Sequence, residues 1–196
     1  MTRFGTLAAL GLLLSACAST PAPRLHELSV TAPQSAVPSE ISIRVPPVAV
    51  PVVVDRPQMV VRRRGELQID DTNRWAVPLQ DGLSEAIGGN LANLLGTGQV
   101  SAPENGGRAD FSVTVDVQRL ESVPGAFAEL EAAWTVRRAA DGRIFRGRSS
   151  VREPVDAGGY AGVAQAHSRA VGRLSEEIAA VIVESRLAHA TVEIRR

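Results

Sequence analysis

Phe111-Ser112-Val113-Thr114-Val115-Asp116-Val117-Gln118, read with Leu130-Glu131-Ala132-Ala133-Trp134-Thr135-Val136 downstream, decides the fold. In the first segment apolar side chains alternate strictly with polar ones, and the second repeats the pattern at Leu130, Ala132, Trp134 and Val136. A period of two sends alternate side chains to opposite faces of an extended chain, so each segment reads as a half-buried strand. Val123-Pro124-Gly125 between them is a turn signal and makes them antiparallel neighbours. Asp141-Gly142 marks another hairpin turn, into a strand over Arg143 to Glu153.

Helical periodicity flanks this meander. Pro78 and Leu79 open a helix whose Leu79, Leu83, Ala86, Ile87, Leu91, Leu94 and Leu95 share one face, with Gly96 as its stop. Gly88 and Gly89 each cost about 1 kcal/mol relative to Ala inside a helix, which points to close packing there. A longer helix from Tyr160 to Leu187 carries Val163, His167, Val171, Leu174, Ile178, Val181 and Ile182 on its stripe. Thr191 to Ile194 reads either as a last edge strand or as a frayed tail.

Upstream, Leu25 to Val30 and Ile41 to Val45 read as short strands. The run Pro46-Pro47-Val48-Ala49-Val50-Pro51-Val52-Val53-Val54 is extended, and its prolines cannot donate to a ladder, so it lies on an edge or crosses between strands. Gln58 to Arg62 and Glu66 to Ile69 form a hairpin around Arg63, Arg64 and Gly65. The expected architecture is α/β bordering on α+β: a single mixed, largely antiparallel sheet packed by two main helices. At 196 residues, one domain over residues 25–196 is expected.

Composition excludes several chemistries. The chain has zero formal net charge and only 4% aromatic residues, which argues against nucleic-acid binding. All 21 of its basic residues are Arg; without Lys there is no Walker A loop, Schiff base or Ser-x-x-Lys nucleophile. A lone Cys gives neither an intramolecular disulfide nor a multi-Cys zinc site. His26, His167 and His189 have no metal-ligand spacing, and His167, on an apolar helix stripe, reads as a core residue. Gly96-Thr97-Gly98 has Ser101 where a dinucleotide loop needs its third Gly, and no Gly-x-Ser-x-Gly elbow is present. No enzyme, cofactor or metal is expected.

The lone Cys has a place of its own. Arg3, an apolar run from Leu7 to Leu14 and small residues make a secretory signal over residues 1–16, too short to span a bilayer. Leu14-Ser15-Ala16-Cys17 resembles the bacterial lipobox, which implies acylation of Cys17 and cleavage before it. Acyl chains contribute about 0.8 kcal/mol per buried methylene, enough for two or more to hold a neutral domain on a membrane. Ala18 after the Cys, by resemblance to Gram-negative sorting signals, favours the outer membrane with the domain facing the periplasm. Residues 17–24 are the lipidated Cys and its tether; the seven residues after Cys17 reach about 23 Å at roughly 3.3 Å each, so a partner must come to the domain.

Trp134 alternates with core positions and reads as core, whereas Trp75, beside Arg74, is either a packing residue at the helix start or a partner anchor. Arg62-Arg63-Arg64 reads as a solvated strand end or as a contact for phosphates or an acidic face. Val48-Ala49-Val50-Pro51-Val52-Val53-Val54-Asp55-Arg56-Pro57-Gln58-Met59-Val60, Arg74-Trp75-Ala76-Val77-Pro78-Leu79 and Leu130-Glu131-Ala132-Ala133-Trp134 together resemble the PqiC-type lipoproteins, auxiliary components of ABC-type transport systems. The resemblance runs from about Leu25 to Leu187. Val53-Val54 stands where that family commonly has Tyr-Leu, and Leu25-His26-Glu27-Leu28 lacks its usual aromatic pair.

The resemblance implies a fold similar to the amino-terminal domain of TolB. It also implies an outer-membrane lipoprotein that works with a permease, an ATPase and an MCE-domain protein to move lipids between membranes. The expected partner is that MCE-domain protein, with the membrane reached through the lipid anchor and a homo-oligomer as a further possibility. Asp55, Arg56, Pro57, Gln58, Arg74 and Trp75 are the candidate docking residues, with fold maintenance as the competing role. Rival functions are a lipid carrier, which needs an apolar cavity, and a purely structural envelope protein.

Overall fold

The computed structural model describes residues 22–101, 109–156 and 158–194. Among these residues, eight strands and two helices follow in the order β1 (Arg24–His26), β2 (Ser42–Arg44), β3 (Gln58–Arg63), β4 (Glu66–Trp75), α1 (Leu79–Leu95), β5 (Gln99–Ser101), β6 (Phe111–Val123), β7 (Phe127–Arg138), β8 (Ile144–Pro154) and α2 (Gly159–Ile194).

The meander forms as its alternation dictates. Val113 pairs with Val136, Val115 with Trp134 and Val117 with Ala132, all buried on the face that α1 and α2 cover. A bulge between Val117 and Arg119 takes up one residue and bends β6 where it leaves its other neighbours. β8 pairs with β7 from Ile144 to Pro154. Leu83, Ile87 and Leu91 of α1 and Val171, Leu174, Ile178 and Ile182 of α2 are fully buried in the shared core. Burying one such side chain contributes roughly 1.5–3 kcal/mol, so the two helix stripes and the apolar sheet face account for most of the drive to fold.

The strands divide into two mixed sheets where one was expected: β1-β4-β3 and β5-β2-β6-β7-β8. The proline-rich run causes the division. It touches the larger sheet through the single bridge Ala49 to Asp116 and then turns at 52–54 before β3 begins. β3 therefore reaches β6 through side chains, the Arg62 guanidinium meeting the Glu121 carboxylate at 2.6 Å, and not through a ladder.

Other differences are local. β1 spans Arg24–His26 and runs parallel to β4, and the chain beyond it packs on α1, where the Asn90 Oδ1 accepts the backbone N–H groups of Thr31 and Ala32. β5, not expected from the sequence, pairs parallel to β2. Thr191 to Ile194 continue α2 and form no strand. The β3–β4 turn places Arg64 and Gly65 at φ 51° and 86°, the paired left-handed conformation of a tight hairpin that matches strand twist. Gly89 marks the close approach that the helix glycines pointed to, since a Cβ there would collide with the Val30 side chain.

Candidate functional surface

The two stretches most specific to the resemblance meet in space. The Trp75 backbone N–H donates to the Pro57 carbonyl at 2.8 Å, and Gln58 is in register with Arg74. Asp55, exposed, accepts a hydrogen bond from the Gln80 side chain at 2.9 Å, which ties the segment to the first turn of α1. The N–H groups of Val54 and Asp55 both donate to the Pro51 carbonyl, closing the turn that precedes it.

Their side chains take different roles. Trp75 is only 8% exposed and belongs to the core, so it holds the segment from beneath. Arg74 donates from its Nε to the Asp71 carbonyl at 3.0 Å. Arg56 is half-buried, and its Nε is buried without a hydrogen-bond partner among the described residues. Pro57 is exposed, whereas Gln58 is half-buried at the start of β3. Cys17, with the signal and most of the tether, lies outside the described residues.

Beside this segment is a groove of about 450 Å³ between the two sheets. Pro51, Val53, Val60, Leu67 and Leu120 line it, and Arg62, Arg119 and Glu121 form its charged rim. The rim is held by ion pairs from Arg62 to Glu121 at 2.6 Å and from Arg119 to Glu129 and Glu131 at 3.5 and 3.6 Å. Val52, Val53, Leu67 and Ile69 are 86%, 45%, 50% and 51% exposed around it, an apolar strip that water covers at a cost. The sequence marks Val52 and Val53 as part of an extended run and Glu66 to Ile69 as a hairpin arm, with no local signal that the apolar face of this arm lacks a cover.

The remaining polar groups form structural ties. The His167 Nε2 and the Ser122 Oγ lie 2.8 Å apart in the core, and the Nδ1 has no partner among the described residues. Burial holds this imidazole down to about 4, so it is neutral at ordinary pH. Burial pushes the Asp70 carboxyl up, but hydrogen bonds from Thr72, Asn73 and Tyr160 outweigh it and hold the group well below the usual carboxylate range. His26 joins the same network through Asn73 at 2.9 Å, and the Arg63 guanidinium lies 5.9 Å from the Tyr160 ring centre. His189 is in α2, with its side chain outside the described residues. Among the described residues no group of His, Cys, Asp and Glu is arranged to hold a metal ion, and no helix is long and apolar enough to cross a membrane.

A family model described as the ABC-type transport auxiliary lipoprotein component matches residues 25–179. The crystal structure of protein XCC0632 from Xanthomonas campestris, of the DUF330 family, is similar with a TM-score of 0.67 at 20% identity, covering 86% of this chain and 99% of that one. A second crystal structure, of an uncharacterised protein, gives a TM-score of 0.66 at 17% identity over 83% of this chain and 99% of that one. At these identities the likeness is one of fold. No curated protein matches the chain.

Proposed function

The chain belongs to the family of ABC-type transport auxiliary lipoprotein components, and from that premise we propose that it is a non-catalytic docking factor for an MCE-type lipid transporter. In this reading Cys17 is acylated, the anchor lies in the outer membrane and the domain faces the periplasm. There it receives the MCE-domain protein that bridges from the permease and ATPase of the inner membrane. Which partner drives transport follows from the absence of Lys: this chain has no Walker A loop, so nucleotide hydrolysis belongs to another subunit.

The exposed apolar strip of Val52, Val53, Leu67 and Ile69, beside the Asp55–Gln58 segment, is the observation that supports docking. Apolar side chains at an open groove with a charged rim resemble a protein interface, with its apolar centre and polar surround. Arg56, Pro57 and Gln58 follow directly on the turn that carries Val52 and Val53, and the Trp75 N–H on the Pro57 carbonyl and the pairing of Gln58 with Arg74 hold that segment in place. A lipid carrier is less well supported, because the groove sets Arg62, Arg119 and Glu121 where an acyl chain would need an apolar wall.

The test is an affinity pull-down of the acylated protein from detergent-solubilised envelopes. Wild type is compared with Cys17→Ala and with Val53→Asp/Leu67→Asp, both positions of the pair being exposed enough to accept charge. Recovery of an MCE-domain protein with wild type, and its loss with the strip variant at unchanged thermal stability, is the expected result. Phospholipid bound in stoichiometric amount without a protein partner would overturn docking in favour of the carrier.

A further inference from the structure

β8 is the edge of the five-stranded sheet and pairs only with β7, although it runs for 11 residues from Ile144 to Pro154. An edge of this length presents a row of backbone donors and acceptors with no strand beside it. On the face of β8 away from the helices, Arg146 is in register with Thr135 and Arg148 with Ala133, so the two arginines stand above small neighbours. Both are exposed, and neither has an ion-pair partner among the described residues. Arg62, Arg119, Arg138, Arg143, Arg152, Arg169 and Arg173 each meet a carboxylate, whereas Arg146 and Arg148, like Arg63, Arg64 and Arg137, meet none among the described residues.

We propose that the free edge of β8 adds an extended acidic segment of a partner protein, whose carboxylates at every second residue meet Arg146 and Arg148. Residues two apart on a strand point to the same face, so the spacing of the two arginines selects the spacing of the acids. The backbone edge supplies affinity and the arginines supply register, as in other strand-addition complexes. Charge also selects the occupant. A second copy of this chain pairing through β8 would set arginine against arginine across the new ladder, which is unfavourable. An anionic membrane would satisfy the arginines and leave the edge unpaired. The inference stands apart from the groove and does not depend on which transporter the chain serves.

The probe is a short fluorescein-labelled peptide of sequence Thr-Glu-Val-Glu-Val-Glu-Val-Glu-Thr, titrated into the full mature chain by anisotropy. It is compared with its Gln counterpart, its Lys counterpart and a backbone N-methylated version that keeps every charge and cannot donate to the edge. The Glu peptide should bind about tenfold or more tightly than the Gln peptide, and N-methylation should abolish binding. Arg146→Glu/Arg148→Glu, a surface change that leaves the core untouched, should reverse the preference to the Lys peptide. The edge-facing amides between Ile144 and Glu153, every second one along β8, should gain hydrogen-exchange protection on binding. Equal binding of the N-methylated peptide, an unreversed preference, or arginine-dependent binding to phosphatidylcholine–phosphatidylglycerol vesicles with none to the peptide would each overturn the proposal.

Discussion

The Trp134 indole covers Gly147 so closely that any Cβ at that position would overlap the face of the ring at Cζ2. The two residues are in register on neighbouring strands, and the absent side chain of one is the space the other occupies. The indole Nε1 donates to the Ser149 hydroxyl at 3.0 Å, and that hydroxyl donates to the Glu177 carboxylate at 2.5 Å on α2. Through this chain of bonds the ring fixes how the long helix sits on the sheet.

Gly147→Ala should therefore destabilise the fold by about 1–3 kcal/mol, because the ring is held at its far end and cannot tilt away. Urea unfolding followed by tryptophan fluorescence measures it. A lower midpoint with an unchanged denaturant slope is the expected outcome, and a wild-type midpoint would show that the ring moves freely.

His167 makes stability depend on pH. Its folded value is lowered to about 4 by burial from an ordinary 6.5, so below pH 6.5 the unfolded chain binds the extra proton first. Stability falls as pH drops from about 6.5 to about 4, by roughly 3 kcal/mol in all, and this contribution is fully present above 6.5. His167→Gln keeps a hydrogen-bonding partner for Ser122 and should flatten the pH profile across that window. A profile unchanged by the substitution would place the titration elsewhere.

Asn90 holds the segment after β1 against α1. Its Oδ1 accepts two backbone N–H groups, from Thr31 at 2.9 Å and Ala32 at 2.8 Å, and the residue is fully buried. Asn90→Ala should cost about 1–3 kcal/mol by leaving the buried donor of Ala32 unsatisfied. The Thr31 and Ala32 amides should lose exchange protection before those of β6 and β7 do.

Arg62 and Glu121 join the two sheets at 2.6 Å, but Arg62 is 38% exposed. A double-mutant cycle with Arg62→Ala and Glu121→Ala should give a coupling below about 1 kcal/mol that shrinks as salt is raised. A coupling of several kcal/mol that persists in salt would mean that this pair, and not the buried apolar contacts, holds the sheets together.

Much of the fold was legible because its signals are local. The alternation from Phe111 to Gln118, the turns at Gly125 and Gly142 and the stripe from Leu79 to Leu95 each depend on neighbours in sequence, and each forms as read. His167 was legible as core for the same reason. The exposure of Leu67 and Ile69 was not: their alternation is that of a buried face, and only the missing cover makes them a surface. Trp75 was open to two readings until its neighbours in the core were known.

The sequence by itself determined the strands and helices of the meander, the core stripe and the chemistries that a chain without Lys and with one Cys lacks. Those follow from side-chain period and atomic inventory, which need no knowledge of distant residues. The tertiary structure alone decided that the sheet divides in two, that β1 pairs in parallel with β4 and β2 in parallel with β5 and β6, and that the Asp55–Gln58 and Arg74–Trp75 segments meet near an open groove. The physical reason is that pairing partners and solvent exposure belong to contacts between segments far apart in the chain. Proline in the run from Pro46 to Pro51 removes ladder donors but does not specify which strand then goes unpaired.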